Sequence, residues 1–128
     1  MKYLIDSHAF LWYEFGSQQL PQRVVDIIDN EENVVFLSLA SVWEIGIKVN
    51  IGKMKLIEPL NNFVRRQILE YDYRLMEISF EHIIEAVSFP LHHRDPFDRL
   101  LVAQCKIENL PVISNDTMLD KYGVERIW

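Results

Sequence analysis

A single cysteine, Cys105, leaves the chain without an internal disulfide. A small scaffold held together by bridges is therefore excluded, and a reducing cytoplasmic setting is the expectation. Long apolar runs are also missing, since nothing approaches the roughly 20 apolar residues of a membrane span. The opening stretch, "MKYLIDSHAFLW", is not expected to be a secretory leader. Asp6 and His8 interrupt its apolar residues, and no small-residue cleavage site follows. Glycine is scarce, at four residues, and none build a phosphate-cradling loop. No cysteine cluster or His-x-x-x-His pair completes a zinc site. Basic residues are in deficit, with 13 Lys and Arg against 19 Asp and Glu, a net charge of −6. That balance disfavours nonspecific binding to phosphates, unless bound cations neutralise several carboxylates.

What remains is a chain of 128 residues, 49% hydrophobic, with no repeat, low-complexity segment or linker. The length suits one domain over residues 1–128, burying about two-thirds of the surface the unfolded chain exposes. Strand and helix patterns alternate. "KYLID" (2–6) and the β-branched "NVVFLS" (33–38) read as buried strands, followed by "RLMEIS" (74–79), "PVIS" (111–114) and "VERIW" (124–128). A helical segment runs from the first strand to about residue 15. Helical patterns then follow in "LPQRVVDIIDNEE" from Pro21, in 39–52 with Gly52 as a stop, and in 60–72. Two more cover 80–89, halted by Pro90, and 96–109. Alternation of this kind predicts an α/β fold with a central parallel sheet of four to five strands, covered on both faces.

In such sheets ligands bind beyond the carboxyl ends of the strands. Asp6 ends the first strand, Asp116 follows the fourth, Glu44 sits early in the helix after the second, and Asp95 and Asp98 open the helix before the fourth. If the central strands are neighbours, these acids converge. Several anions in one cleft repel, and hard divalent cations such as Mg²⁺ relieve that repulsion through oxygen ligands. Each acid also has a plainer reading. Asp6 or Ser7 suits a helix cap, Glu44 and Lys48 form a favourable i,i+4 pair, and Asp116 suits a cap on a short turn. Yet Glu44 is embedded in "ASVWEIGI", unusually apolar for an exposed face.

The stretch "HHRDPFDRLL" (92–101) divides. Asp95 before Pro96 is an N-cap, and Asp98, on the face shared with Leu101 and Cys105, is the better ligand. His92 and His93 are adjacent and would not share a helix face. Ser7 beside His8 suggests no nucleophilic triad. Lys48, Lys53, Lys55, Arg94 and Arg99 are candidates for phosphate contacts. Trp12, Trp43 and Phe97 read as core or interface residues rather than as base-stacking platforms.

Here the motifs reach a known family. "YLIDSHAFLW", "LSLASVWEIGIKVNIGKMKL", "HHRDPFDRLLVAQ" and "PVISND…YGV" occur in one order over nearly the whole chain, which resembles a PIN-domain ribonuclease of the VapC-like toxin type. The resemblance implies a three-layer α/β/α fold. It places the family's acidic quartet on Asp6, Glu44, Asp98 and Asp116. Ser7 and Ser114 match the small hydroxyl positions beside the first and last acids, and Asp95 a recurrent further acid. It implies Mg²⁺- or Mn²⁺-dependent cleavage of single-stranded or looped RNA, with Asp6, Asp98 and Asp116 as ligands and Glu44 as a ligand or an orienter of water. Attack of water on the phosphodiester would leave 5′-phosphate and 3′-hydroxyl ends. A cognate antitoxin and a homodimer are the partners it implies.

Three other classes compete with this. A phosphoryl-acceptor signalling domain needs an acidic pair after the first strand and a lysine after the last, which "LIDSH" and "VERIW" lack. A haloacid-dehalogenase-like phosphatase needs a second Asp where His8 stands. A nuclease-like fold kept only for binding RNA or protein is disfavoured by the intact quartet.

Overall fold

A computed structural model describes residues 1–91 and 95–128. Five parallel strands form one sheet in the order β3-β2-β1-β4-β5. They are β1 (Lys2–Ile5), β2 (Val34–Ser38), β3 (Arg74–Met76), β4 (Val112–Ile113) and β5 (Arg126–Ile127). Helices α1 (Ser7–Glu14), α2 (Gln22–Asp29), α3 (Leu39–Asn50), α4 (Leu60–Tyr71), α5 (Phe80–Ser88) and α6 (Pro96–Glu108) connect them, with a 3-10 helix at Thr117–Tyr122. The expected α/β alternation is therefore observed. The third and fifth strands are shorter than their apolar patterns suggest, and "TMLDKY" is helical rather than a simple turn.

Side-chain alternation along the strands divides the core between the two faces of the sheet. Tyr3 and Ile5 of β1, Val35 and Leu37 of β2 and Ile113 of β4 point to one face. There they meet Phe10 of α1, Val24 and Ile28 of α2, Ile45 of α3 and Phe63 and Val64 of α4. Leu4, Phe36 and Val112 point the other way, onto Leu101, Val102 and Cys105 of α6 and Leu119 and Tyr122 of the 3-10 helix. Helix α5 packs on α6. Helices thus cover both faces, giving three layers. Cys105 is buried, and desolvation pushes its thiol up to about 12, so it is chemically inert. No helix among the described residues is long and apolar enough to cross a membrane.

Two glycines act where the backbone needs them. Gly52, at φ +80°, reverses the chain just after α3. Gly46, inside α3, allows close approach to α4, because a Cβ there would lie 3.0 Å from Leu60 Cδ2. Gly46→Val should therefore destabilise the fold by about 1–3 kcal/mol through overpacking. Urea unfolding checks this, and an unchanged midpoint would mean that Leu60 swings clear.

Candidate active site at the carboxyl edge of the sheet

Register builds the site. Ile5 pairs with Leu37 on one side and with Ile113 on the other. The next residues, Asp6, Ser38 and Ser114, therefore leave three adjacent strands at one level. Strand order also reverses here, with β2 and β3 on one side of β1 and β4 and β5 on the other. A crevice is expected at such a switch point.

Asp6, Asp95, Asp98 and Asp116 are each placed by a helix start, whereas Glu44 lies in the middle of α3. Asp6 is the N-cap of α1 and accepts from the Ala9 N–H at 2.7 Å. Asp95 caps α6, accepting from Phe97 at 2.8 Å and from Asp98 at 3.3 Å. Asp116 caps the 3-10 helix through the Met118 N–H at 3.0 Å. The capping readings were therefore right, and they coexist with positions at the crevice. Asp98 occupies the first turn of α6, three residues before buried Leu101, which sits in the core with Cys105.

Serines tie the acids together. Ser7 Oγ donates to Glu44 Oε1 at 2.6 Å, a short bond of the charge-assisted kind. The Ser114 hydroxyl bonds the Asp6 carboxylate and also accepts the Asp116 N–H at 3.0 Å. Glu44 is 8% exposed although it belongs to an i,i+4 pair, with Lys48 Nζ 3.6 Å from Oε2. Among the described residues, no three acidic or histidine side chains close on one another as a preformed cage. Glu44 and Asp6 each bond a serine hydroxyl, and the Asp116 N–H donates to the one on Asp6.

Burial makes Asp6 the strained member. Desolvation raises its carboxyl above the usual carboxylate range, and the Glu44 charge adds to this. The Ala9 N–H, the Ser114 hydroxyl and His8 oppose the shift without cancelling it. The donor chemistry fits a hard cation, which favours carboxylate oxygens and removes the penalty on burying Asp6. Mg²⁺ takes one or two carboxylates and keeps several waters, so a spread set suits it better than it suits a fully desolvated ion.

Beside Glu44 the crevice opens into a cavity of about 480 Å³ lined by Ile47, Lys48, Lys53, Asp95 and Phe97. A larger one, about 610 Å³, lies at the opposite end of the strands near Tyr13, Asp29, Asn33 and Tyr71, and contains none of the acids discussed. Lys48 and Lys53 thus flank the site. Arg99 lines a groove between α5 and α6 with Ile83, Ala86, Val87 and Leu100. Arg94, His92 and His93 lie outside the described residues. Trp12 packs against the core and Trp128, as expected. Trp43 is 63% exposed, which excludes the core reading and keeps the interface one.

A PIN domain family profile matches residues 3–125, and the chain belongs to that family. None of the curated proteins compared with it matched. Among solved structures it is similar to a chain of FitAcB from Neisseria gonorrhoeae, at 18% identity and a TM-score of 0.68, covering 100% of this chain and 97% of that one. A chain of VapBC2 from Rickettsia felis, bound to a DNA fragment from its promoter, matches at 11% identity and a TM-score of 0.72, over 99% and 98%. A chain of a toxin–antitoxin complex from Klebsiella pneumoniae matches at 14% and 0.60, over 90% and 87%.

The raised Asp6 carboxyl sets a sign for pH dependence. With the folded-state pKa above the unfolded value of about 3.8, the folded chain holds more protons between the two. Stability then falls as pH rises through that window and stays lower above it. Asp6→Asn keeps the cap and removes the charge. In metal-free buffer it should be more stable than the parent at neutral pH, with the gap closing as pH falls toward 3.8. Thermal melts across pH check this, and a gap that widens on acidification would contradict it.

Proposed function

We propose that the protein is a metal-dependent endoribonuclease, the VapC-like toxin of a toxin–antitoxin pair. The observation that carries the reading is the serine-spaced set at the carboxyl edge, Glu44–Ser7 beside Asp6–Ser114–Asp116. Membership of the PIN family supports nuclease chemistry. The similarity to chains from toxin–antitoxin complexes favours an antitoxin partner.

Asp6, Asp98 and Asp116 would hold Mg²⁺ or Mn²⁺, with Glu44 binding directly or through water. The ion, when bound, supplies charge stabilisation at phosphorus and lowers the pKa of a bound water. The chain's own residues do the rest. Ser7 fixes one Glu44 oxygen and leaves the carboxylate able to orient a water and accept its proton. Ser114 fixes Asp6 against rotation. Lys48 limits the charge on Glu44 and, with Lys53, offers cations to the RNA backbone.

We also propose a homodimer formed through α5. Its outer side presents Phe80 and Val87, both 72% exposed, with Ile83 and Ile84 between them. Such an apolar row on one short helix is an unusual surface for a monomer.

Purified protein should cut looped RNA with Mg²⁺ or Mn²⁺ and not with EDTA, leaving 5′-phosphate ends. Asp98→Asn should abolish cleavage and reduce the Mn²⁺ binding heat, with little change in stability. Asp95→Ala should instead cost about 0.5–2 kcal/mol as a lost cap. A reversed pattern in cleavage gels and melts would exchange the roles of the two aspartates. Light scattering should give a dimer mass for the parent and a monomer mass for Val87→Lys. A parent monomer would remove the α5 interface.

A further inference from the structure

Trp43 is a large aromatic side chain left in solvent, one residue before Glu44 on α3. Its ring meets Phe97 of α6 nearly at right angles, with centroids 5.3 Å apart and planes at 80°. An edge-to-face pair occupies the face of only one of its two rings, so an aromatic face remains open. Leu39 and Ile47 share Trp43's i,i+4 row on α3 and Ile51 continues it just past the helix, each at least 36% exposed. Ile47, Ile51 and Phe97 then line the cavity beside Glu44, together with Lys48 and Lys53.

The charge distribution bears on what this wall receives. The chain carries a net −6, yet three of its six lysines fall within residues 48–55. Two of them, Lys48 and Lys53, line the cavity that Phe97 also lines, alongside the carboxylates of Glu44 and Asp95, with Lys48 3.6 Å from Glu44. A flat apolar face next to cationic side chains matches an unpaired base and its phosphate. Single-strand binding sites combine these two features, with stacking giving sequence-tolerant affinity.

We propose that Trp43, backed by Phe97, is a stacking wall for an unpaired base of the RNA strand, with Lys48 and Lys53 on the adjoining phosphate. This inference rests on the nuclease reading of the neighbouring acids and adds how the strand is held. Stacking fixes one base at the rim, so that the backbone next to it reaches Glu44 and Asp6. Selectivity for single-stranded or looped RNA follows, because a paired base has no free face to offer.

The test measures binding apart from cleavage. A labelled single-stranded oligoribonucleotide of about 12 nucleotides is titrated in EDTA against the parent, Trp43→Ala and Trp43→Phe, with anisotropy as the readout. Trp43→Ala should bind roughly 5- to 150-fold more weakly, and Trp43→Phe within about threefold of the parent. An abasic strand of equal length should bind all three chains alike. Equal affinity of the three for the normal strand would overturn the proposal and leave the α3 row to a protein partner. So would a parent that binds no strand at all. Cleavage with Mg²⁺ is scored separately. A parent that cuts RNA while Trp43→Ala keeps its KM refutes the wall and leaves the nuclease reading standing. A parent that never cuts, but loses affinity on Trp43→Ala, refutes the nuclease reading and supports the wall.

Discussion

The structure turns on one carboxylate in an unfavourable place. Asp6 sits at the end of the central strand, 6% exposed, where burial resists its charge. Everything near it responds to that cost. The α1 N-terminus offers the Ala9 N–H, Ser114 offers a hydroxyl, and the start of a helix aims its partial positive charge at the same point. Even so, the carboxyl remains raised. The fold thus holds a carboxylate that its own scaffold does not fully stabilise as an anion.

Four helix starts share this edge, at Asp6, Ser38, Asp95 and Asp116. Parallel topology is the reason. Every strand runs the same way, so α1, α3 and the 3-10 helix, which directly follow β1, β2 and β4, open at that rim, and α6 opens there because it runs back to the start of β4. Caps and candidate ligands are therefore the same residue types in the same places. Capping and ligation need no choice between them, because an aspartate has two oxygens and a cap uses one.

Much of the fold was legible for a simple reason. Buried strands such as "KYLID" carry near-continuous apolar runs, and the intervening helices carry their period and their stops. β3 and β5 were over-read, because an apolar pattern does not reveal where a neighbouring strand ends, and each is cut to the few residues its neighbour pairs. The positions of Asp6, Glu44 and Asp116 were legible from topology, whereas the Ser7–Glu44 bond, joining residues 37 apart, was not. That Trp43 lies outside the core was not legible, because a tryptophan in an apolar helix carries no mark of which side faces solvent. The groove between α5 and α6 that Arg99 lines was not legible either, because a cation near an acidic motif gives no sign of the helix packed beside it.

The brevity of the outer strands has its own effect. β3 has three residues, one of them Arg74, and β5 has two. Sheet margins so short offer almost no unpaired ladder for a stray strand to extend. The molecule is thereby shielded from edge-to-edge aggregation, and recognition is diverted to helical walls and to the rim where the chain leaves its strands.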